Sequence, residues 1–493
     1  MRPLRALIVS FLMLCLFTSP GTGYAQEDPL PAPAPRPVSL NECVVYGIGN
    51  AFDVQLAKLD LYIAQTDLMY EEAVYDTLLY GDMNYSEDRR NRLSVFAGND
   101  DQDNEYSAGL NKTLYTGTEV TAEFSDNRLW DDTAYVTQNP SHTTELLLKA
   151  EQPVGVNAFG INDRRKISLT KLAINNAGLN EQDKIEAYIA RVEKAYWGMV
   201  FERRSFNIYA DMLQKAKRLH EVNLKNFNLG IIEKVDLVAS ESNVALRQTD
   251  VLLVVNAYAR AKENLKLLMN LEDDVDIMPT KDLKYVCIQK ELPDCMKEAF
   301  EQRRDYKIAK TDLKIKGLDL KIESNKRWPE IDLTASMAMN GIEKNFGKAF
   351  DDLTAEYRPY YYAGLEVSVP IENRQARANY DKAKYRKEKA LVNIKDIERT
   401  IITEVVNAYR DVVSYEASIV YLKRAVTLQS EKLKEEEKRF SYGRSTTKHI
   451  IDYQQDLSRA ELEEAIFLLK HEKSKIDLNR YMNAILPKYE ELL

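Results

Sequence analysis

The chain reads as a mainly helical protein with β strands. It is built from two copies of a helix–strand–strand–helix–helix unit whose long helices form antiparallel coiled-coil hairpins, an α-barrel wall. Three observations carry this: an internal repeat, a seven-residue apolar seam, and short segments where the periodicity drops from 3.6 to 2. Repeats are read first, because missing one misassigns the whole fold. The stretches "DVQLAKLDL" (53–61) and "DYKIAKTDL" (305–313) share Asp53/Asp305, Ala57/Ala309, Lys58/Lys310, Asp60/Asp312 and Leu61/Leu313. This offset of 252 holds without gaps from Leu40/Leu292 and Cys43/Cys295 to Leu68/Leu320. A second offset, 213, pairs Ala195-Tyr196 with Ala408-Tyr409, Phe227 with Phe440, Gly230 with Gly443, and Met269-Asn270 with Met482-Asn483. Copy one therefore carries 39 extra residues, most of them between positions 79 and 153.

The elements follow in order. Residues 1–25 have a basic start (Arg2, Arg5), an apolar run over 6–17 and a small-residue site at Gly23-Tyr24-Ala25. That pattern predicts a secretory signal peptide cleaved after Ala25. The run is shorter than the ~18 residues a membrane span needs. Cys15 lies inside it after Leu14, a poor context for lipid attachment. Residues 26–38 contain "EDPLPAPAPRP" and predict an extended proline-rich tether. Ser39 and Glu42 then form a capping box that opens the first repeat, 39–270. A connector, 271–290, leads to the second repeat, 291–485, and a tail, 486–493.

The long helices are expected at about 161–227 and 374–440. The second of these runs holds 67 residues with neither Gly nor Pro. Val405, Val412, Ile419, Val426, Leu433 and Phe440 recur every seven residues, as do Val192, Met199, Phe206, Leu213, His220 and Phe227. A strict heptad seam implies coiled-coil packing with a left-handed supercoil. At ~1.5 Å per residue such a helix is about 100 Å long. The helical stretches 40–77 and 233–270 match it when placed end to end. Each hairpin should therefore have one continuous and one two-piece arm.

Strands are expected at about 78–154 and 330–371. Ile331, Leu333, Ala335, Met337 and Met339 alternate with Asp332, Thr334 and Ser336. Leu365, Val367, Val369 and Ile371 alternate with Gly364, Glu366, Ser368 and Pro370, which makes the first four a candidate lipid-facing row. A soluble, half-buried sheet shows the same alternation. Copy one adds a hairpin near 104–126, around Thr116-Gly117. Even small outer-membrane barrels need eight strands, more than four per chain, so closure requires several chains; three would give twelve.

The formal charge of −9 becomes −11 without Arg2 and Arg5, which argues against nucleic acid as a partner. No later segment has 18 consecutive apolar residues, so membrane contact must come through strands closing a barrel. Cys287 and Cys295 are a candidate disulfide that spacing alone does not establish, with Cys43 left over. His142, His220, His449 and His471 are scattered and show no zinc spacing, so no metal site or cofactor is expected. HExxH, GxSxG and phosphate-loop patterns are absent, and the chain is not expected to be an enzyme.

Signatures recur in the same order along both copies. They include the opening "SLNECVVYGIGNAFDVQLAK", the strand ends "QPV" (152–154) and "SVPI" (368–371), and the turns "FNLG" (227–230) and "FSYG" (440–443). On these, residues 39–485 resemble the outer-membrane efflux protein family typified by TolC. The resemblance implies a homotrimer with a twelve-stranded barrel in outer-membrane lipid and a twelve-helix tunnel through the periplasm. It implies an exit duct for tripartite efflux or type I secretion, working with a periplasmic adaptor (membrane fusion) protein and an inner-membrane pump. The adaptor would dock on the turns Asn228, Leu229, Gly230, Ile231 and Ser441, Tyr442, Gly443, Arg444. The family pattern of an aromatic, a Gly and an acidic residue six beyond it is met by Phe227, Gly230 and Asp236. In copy two Asp452 matches a pore-constricting aspartate, but His449 stands where another aspartate is usual. Phe440 replaces a tyrosine there and Ser445 an arginine, so Asp236 with Arg444 is the substitute lock to look for. The alternative is a periplasmic coiled-coil adaptor or structural protein that forms no pore.

Overall fold

The structure is a computed structural model. It describes residues 35–489 apart from 93–97, 99, 134–136, 273–274 and 356–357. The signal peptide, most of the tether and the end of the tail lie outside the described residues. Copy one runs β1 (Arg36–Val38), α1 (Leu40–Asn50), α2 (Phe52–Glu72), β2 (Thr77–Asp88), β3 (Asp101–Thr113), β4 (Glu119–Asp131), β5 (Ser141–Pro153), α3 (Ile161–Asn228) and α4 (Lys234–Met269). After β6 (Ile277–Pro279), copy two runs α5 (Leu292–Gln302), α6 (Arg304–Asn325), β7 (Glu330–Glu343), α7 (Phe346–Ala355), β8 (Tyr360–Ser368), α8 (Arg374–Ser441) and α9 (Thr447–Tyr481).

The repeat survives at atomic detail. α1 and α5 are both 11 residues long and start 252 positions apart, while α3 and α8 are both 68 residues and start 213 apart. Asn270 (φ +54°) and Asn483 (φ +52°) close α4 and α9 with left-handed caps. The Ser39–Glu42 capping box forms, with Glu42 N–H donating to Ser39 Oγ (3.2 Å) and Ser39 N–H to Glu42 Oε2 (2.8 Å). α3 packs against α2 over one half and α4 over the other, and α8 does the same with α6 and α9. The one continuous and one two-piece arm are there.

The seam of α8 is buried as the heptads require: Val405, Val412 and Ile419 are fully covered and Leu433 nearly so. The seam of α3 drifts. Val192 and Met199 are buried, but Phe206, Leu213 and His220 are only half covered, while Ser205, Met212 and Leu219 go inside. A straight helix slips about 20° per heptad against a 3.5 repeat, so one residue of drift marks a helix less tightly supercoiled there.

Four expectations are corrected. The tether is not unpaired to its end, because β1 pairs in parallel with β6 and Arg36 N–H donates to Asp276 O at 2.8 Å. β8 stops at Ser368, leaving Val369 and Ile371 outside the ladder; Pro370 has no N–H to donate. Cys287 and Cys295 are unpaired. Cys295 is buried against α8 beside Ala299 and Val405, while the Cys287 thiol is exposed and lies by Glu416. Finally, the sheet has six strands in the order β2-β3-β4-β5-β7-β8 rather than four. The added hairpin is part of it, so three copies would supply eighteen strands where the resemblance implied twelve.

The connector crosses the middle of the helical region and rests on a buried histidine. His471 is fully covered; its Nε2 is 3.2 Å from Glu416 Oε1, which also accepts from Ile288 N–H at 2.7 Å. Burial holds the His471 pKa below its ordinary value. The unfolded chain therefore takes up a proton that the folded chain resists. Stability from this site is complete above about pH 6.5, the unfolded value, and is lost as pH falls from there toward the lower folded value. Measured against the intrinsic amide rate at each pH, the hydrogen-exchange protection of residues 281–290 should be lower at pH 5.5 than at pH 7.5, and His471→Gln should flatten that loss. An equal loss of protection in both proteins would show that His471 does not set it.

Candidate functional site

Two regions can act on a solute: the helical tips and the sheet at the opposite end. Each tip is a short return closed by a left-handed glycine. Gly230 (φ +72°) and Gly443 (φ +69°) take that conformation, and Ile231 N–H donates to Asn226 O (2.8 Å) as Arg444 N–H does to Arg439 O (2.9 Å). These are Schellman closures, which few residues other than glycine accommodate. Leu229, Ile231 and Tyr442 project from the turns at 72%, 67% and 77% exposure. Such apolar side chains on a turn tip form a surface suited to a partner.

The proposed entrance residues do not all meet. Ser445 and His449 converge on Glu436, a residue the sequence reading did not single out. Ser445 Oγ donates to Glu436 Oε1 at 2.6 Å, His449 Nδ1 lies 3.6 Å from the same oxygen, and Arg439 Nη1 donates to Oε2 at 3.3 Å. The Ser445 hydroxyl first, then the cations, hold the Glu436 carboxyl below its usual range. Its signal was present: Glu436 stands three residues past the seam residue Leu433, an inward position within "KEEEKRF". His449 also stacks on Tyr453, centroid to centroid 6.2 Å. Asn223, at the copy-one position equivalent to Glu436, donates to Thr447 Oγ1 (3.1 Å) and joins the two tips. Phe440 is half covered. Asp452 is exposed on the second turn of α9, and Asp236 lies half-buried in the first turn of α4. Among the described residues Arg444 forms no ion pair with Asp236, so within one chain the substitute lock is not made.

The sheet sorts most of its side chains by face, with Tyr80, Leu147 and Tyr362 among the apolar exceptions on the acidic side. Register carries one row from Leu79 and Met83 (β2) through Tyr106 and Leu110 (β3), Val120 and Phe124 (β4), Leu146 and Leu148 (β5) and Met337 and Met339 (β7) to Tyr361 and Leu365 (β8). The opposite face carries Asp82, Glu105, Glu123, Glu145, Asp332 and Glu366 among Ser, Thr and Asn. α7 covers the far end of the apolar row. Thr144 Oγ1 donates to Ala349 O (3.0 Å), and Phe124 meets Phe346 and Phe350 edge-on. Beneath it Asp126 and His142 pair at 2.9 Å, removing two polar groups from the apolar face. Among the described residues no helix is long and apolar enough to cross a membrane. Among the described residues no cluster of His, Cys, Asp and Glu could hold a metal ion.

The chain thus combines paired 68-residue helices with a sheet that has one mainly apolar and one mainly polar face. Residues 296–484 match the family described as "Outer membrane efflux protein". No curated protein matches the chain by sequence. Among solved structures, the outer membrane protein VceC of Vibrio cholerae shares 12% identity, with a TM-score of 0.67 over 90% of this chain and 95% of that one. The MtrE outer membrane channel of Neisseria gonorrhoeae, in its open state, shares 16% at 0.66 over 91% and 89%. The Campylobacter jejuni CmeC outer membrane channel shares 15% at 0.65 over 90% and 85%. The family match covers the second repeat, and the solved structures share the fold of both repeats.

Proposed function

We propose that the protein is a passive outer-membrane exit duct of a tripartite efflux or type I secretion system. It acts as a homotrimer with a periplasmic adaptor and an inner-membrane pump. The observation that supports this most is the apolar row that runs unbroken across all six strands while, among the described residues, the edge strands β2 and β8 each pair on one side only. Bilayer hydrocarbon leaves no water for unpaired backbone groups, so a spanning sheet must close on itself. The apolar row then faces lipid and the acidic row lines water. A periplasmic structural protein would bury its apolar row against other protein. Purified trimer added to planar bilayers should give discrete conductance steps; silence at micromolar protein would favour the pore-free alternative.

In this reading the tips dock the adaptor. Neither glycine has a heavy atom within 4 Å of where a Cβ would stand. Substitution costs only backbone strain, about 1–2 kcal/mol per residue. The double variant Gly230→Trp/Gly443→Trp should keep its trimers and lose export; unchanged export would remove the turns from the docking surface.

Asp452 sets the charge of the closed entrance in the same reading, three copies repelling one another around the axis and favouring cations. Asp452→Ala should shift the reversal potential in a salt gradient toward zero. An identical reversal potential would place the constriction elsewhere. His449, exposed and leaning on Glu436 of its own hairpin, then belongs to the surface of the tip.

A further inference from the structure

The hairpin β3–β4 has no counterpart in copy two, and it is a working part of the wall. β3 pairs with β2 along the whole of β2, from Thr77↔Lys112 to Asp88↔Asp101, and β4 pairs with β5 from Glu119↔Glu151 to Leu129↔Ser141. A plug or lid would leave one edge free and carry no matching apolar row. Here both strands continue both rows of their neighbours. The turn is anchored to the helical region as well. Gly117 (φ +71°) and Gly160 (φ +69°) approach so closely that a Cβ on Gly117 would stand 2.5 Å from Gly160 N. Arg164 Nη1 donates to Tyr115 O at 2.7 Å, and the Tyr75 and Tyr115 rings lie 4.4 Å apart.

Resting on the duct reading above, we infer that the trimer closes as an eighteen-stranded barrel whose lumen accepts far bulkier cargo than a twelve-stranded one. Strands about 4.7–4.9 Å apart and tilted about 35–45° give a backbone diameter of about 36 Å for eighteen strands, against about 24 Å for twelve. Side chains take up about 5 Å on each wall, half the spacing of packed sheets. The free widths are then about 26 Å and about 14 Å. A single helix, about 10–12 Å across, fits both. A helical hairpin with axes about 8–10 Å apart is about 20 Å across and fits only the wider. The wider lumen thus admits cargo that crosses looped or doubled, a polypeptide hairpin or a solute of similar girth, which a twelve-stranded barrel would exclude.

The test is cryo-electron microscopy of the full-length trimer in lipid nanodiscs, joined to polymer access from the extracellular side in planar bilayers. Eighteen strands are expected, in a barrel about 36 Å across. Neutral polyethylene glycols about 10 Å in radius should enter and lower conductance, since the half-width of that lumen is about 13 Å. Replacing residues 89–140 with Asn-Gly, which joins β2 to β5, should cut the accessible radius to about 7 Å, the half-width of a twelve-stranded lumen. A twelve-stranded native barrel with the hairpin folded aside overturns the inference while leaving the duct reading standing. So does exclusion by the native channel of every polymer larger than the shortened variant admits. A trimer without any barrel overturns both.

Discussion

Replacing Val412 and Ile419 with aspartate is expected to abolish the trimer. Both side chains are fully buried, Val412 among Cys295, Ile401, Val405 and Ala408, and Ile419 in the neighbouring cluster with Leu468 and Ile476. Each change gives up about 1.5–3 kcal/mol of apolar burial and places an unpartnered carboxylate where no donor waits. Domains are stable by only about 5–15 kcal/mol, so two such changes on one seam exhaust what the hairpin has. Val412→Ala should be milder, losing about 2 kcal/mol and keeping trimers. Unheated electrophoresis of outer membranes reads this directly. Persistent trimers in the double aspartate variant would mean that α8 does not face α9 through this seam.

The second large effect is expected at the join between the two repeats. Glu186 of α3 is fully buried and accepts from Arg304 Nη1, from Asn483 Nδ2 at 3.3 Å and from Ile485 N–H at 3.0 Å. Arg304 opens α6, and its own N–H donates to Asn483 Oδ1 at 2.8 Å. Asp183 and Arg480 add a bidentate pair at 2.8 Å beside it. A buried pair such as Glu186–Arg304 contributes little net stability, but removing one member strands a buried charge at about 3–5 kcal/mol. Arg304→Met should therefore lower Tm by on the order of 10 °C. Adding Glu186→Gln should restore much of it, since the amide keeps an acceptor and sheds the charge. A variant pair that melts as low as Arg304→Met alone would assign the loss to packing.

The helical half was legible because its signals are redundant. The gap-free offsets of 252 and 213 recur in helix starts, caps and tip turns, and the glycine-free run of copy two fixes α8 to within a residue. The sheet was less legible. Alternation gives a strand's faces but not its neighbours, so only the register showed that the hairpin around Gly117 is inserted in the wall. α7, "FGKAFDDLTA", escaped because a short stretch between two strands looks like a loop until a sheet surface lies beneath it. The tips were half legible. Glycine spacing gave Gly230 and Gly443, but the resemblance drew attention to His449 and Ser445 as entrance residues and passed over Glu436, the carboxylate both of them meet.

The central claim, that this sheet closes in a membrane, is tested most directly by separating cell envelopes and running the unheated fractions beside boiled ones. The account predicts that the protein sediments with outer membranes, leaves them only in detergent, and migrates as a trimer that collapses to monomer on boiling. Full release into buffer without detergent, as a species whose mobility boiling does not change, would contradict it.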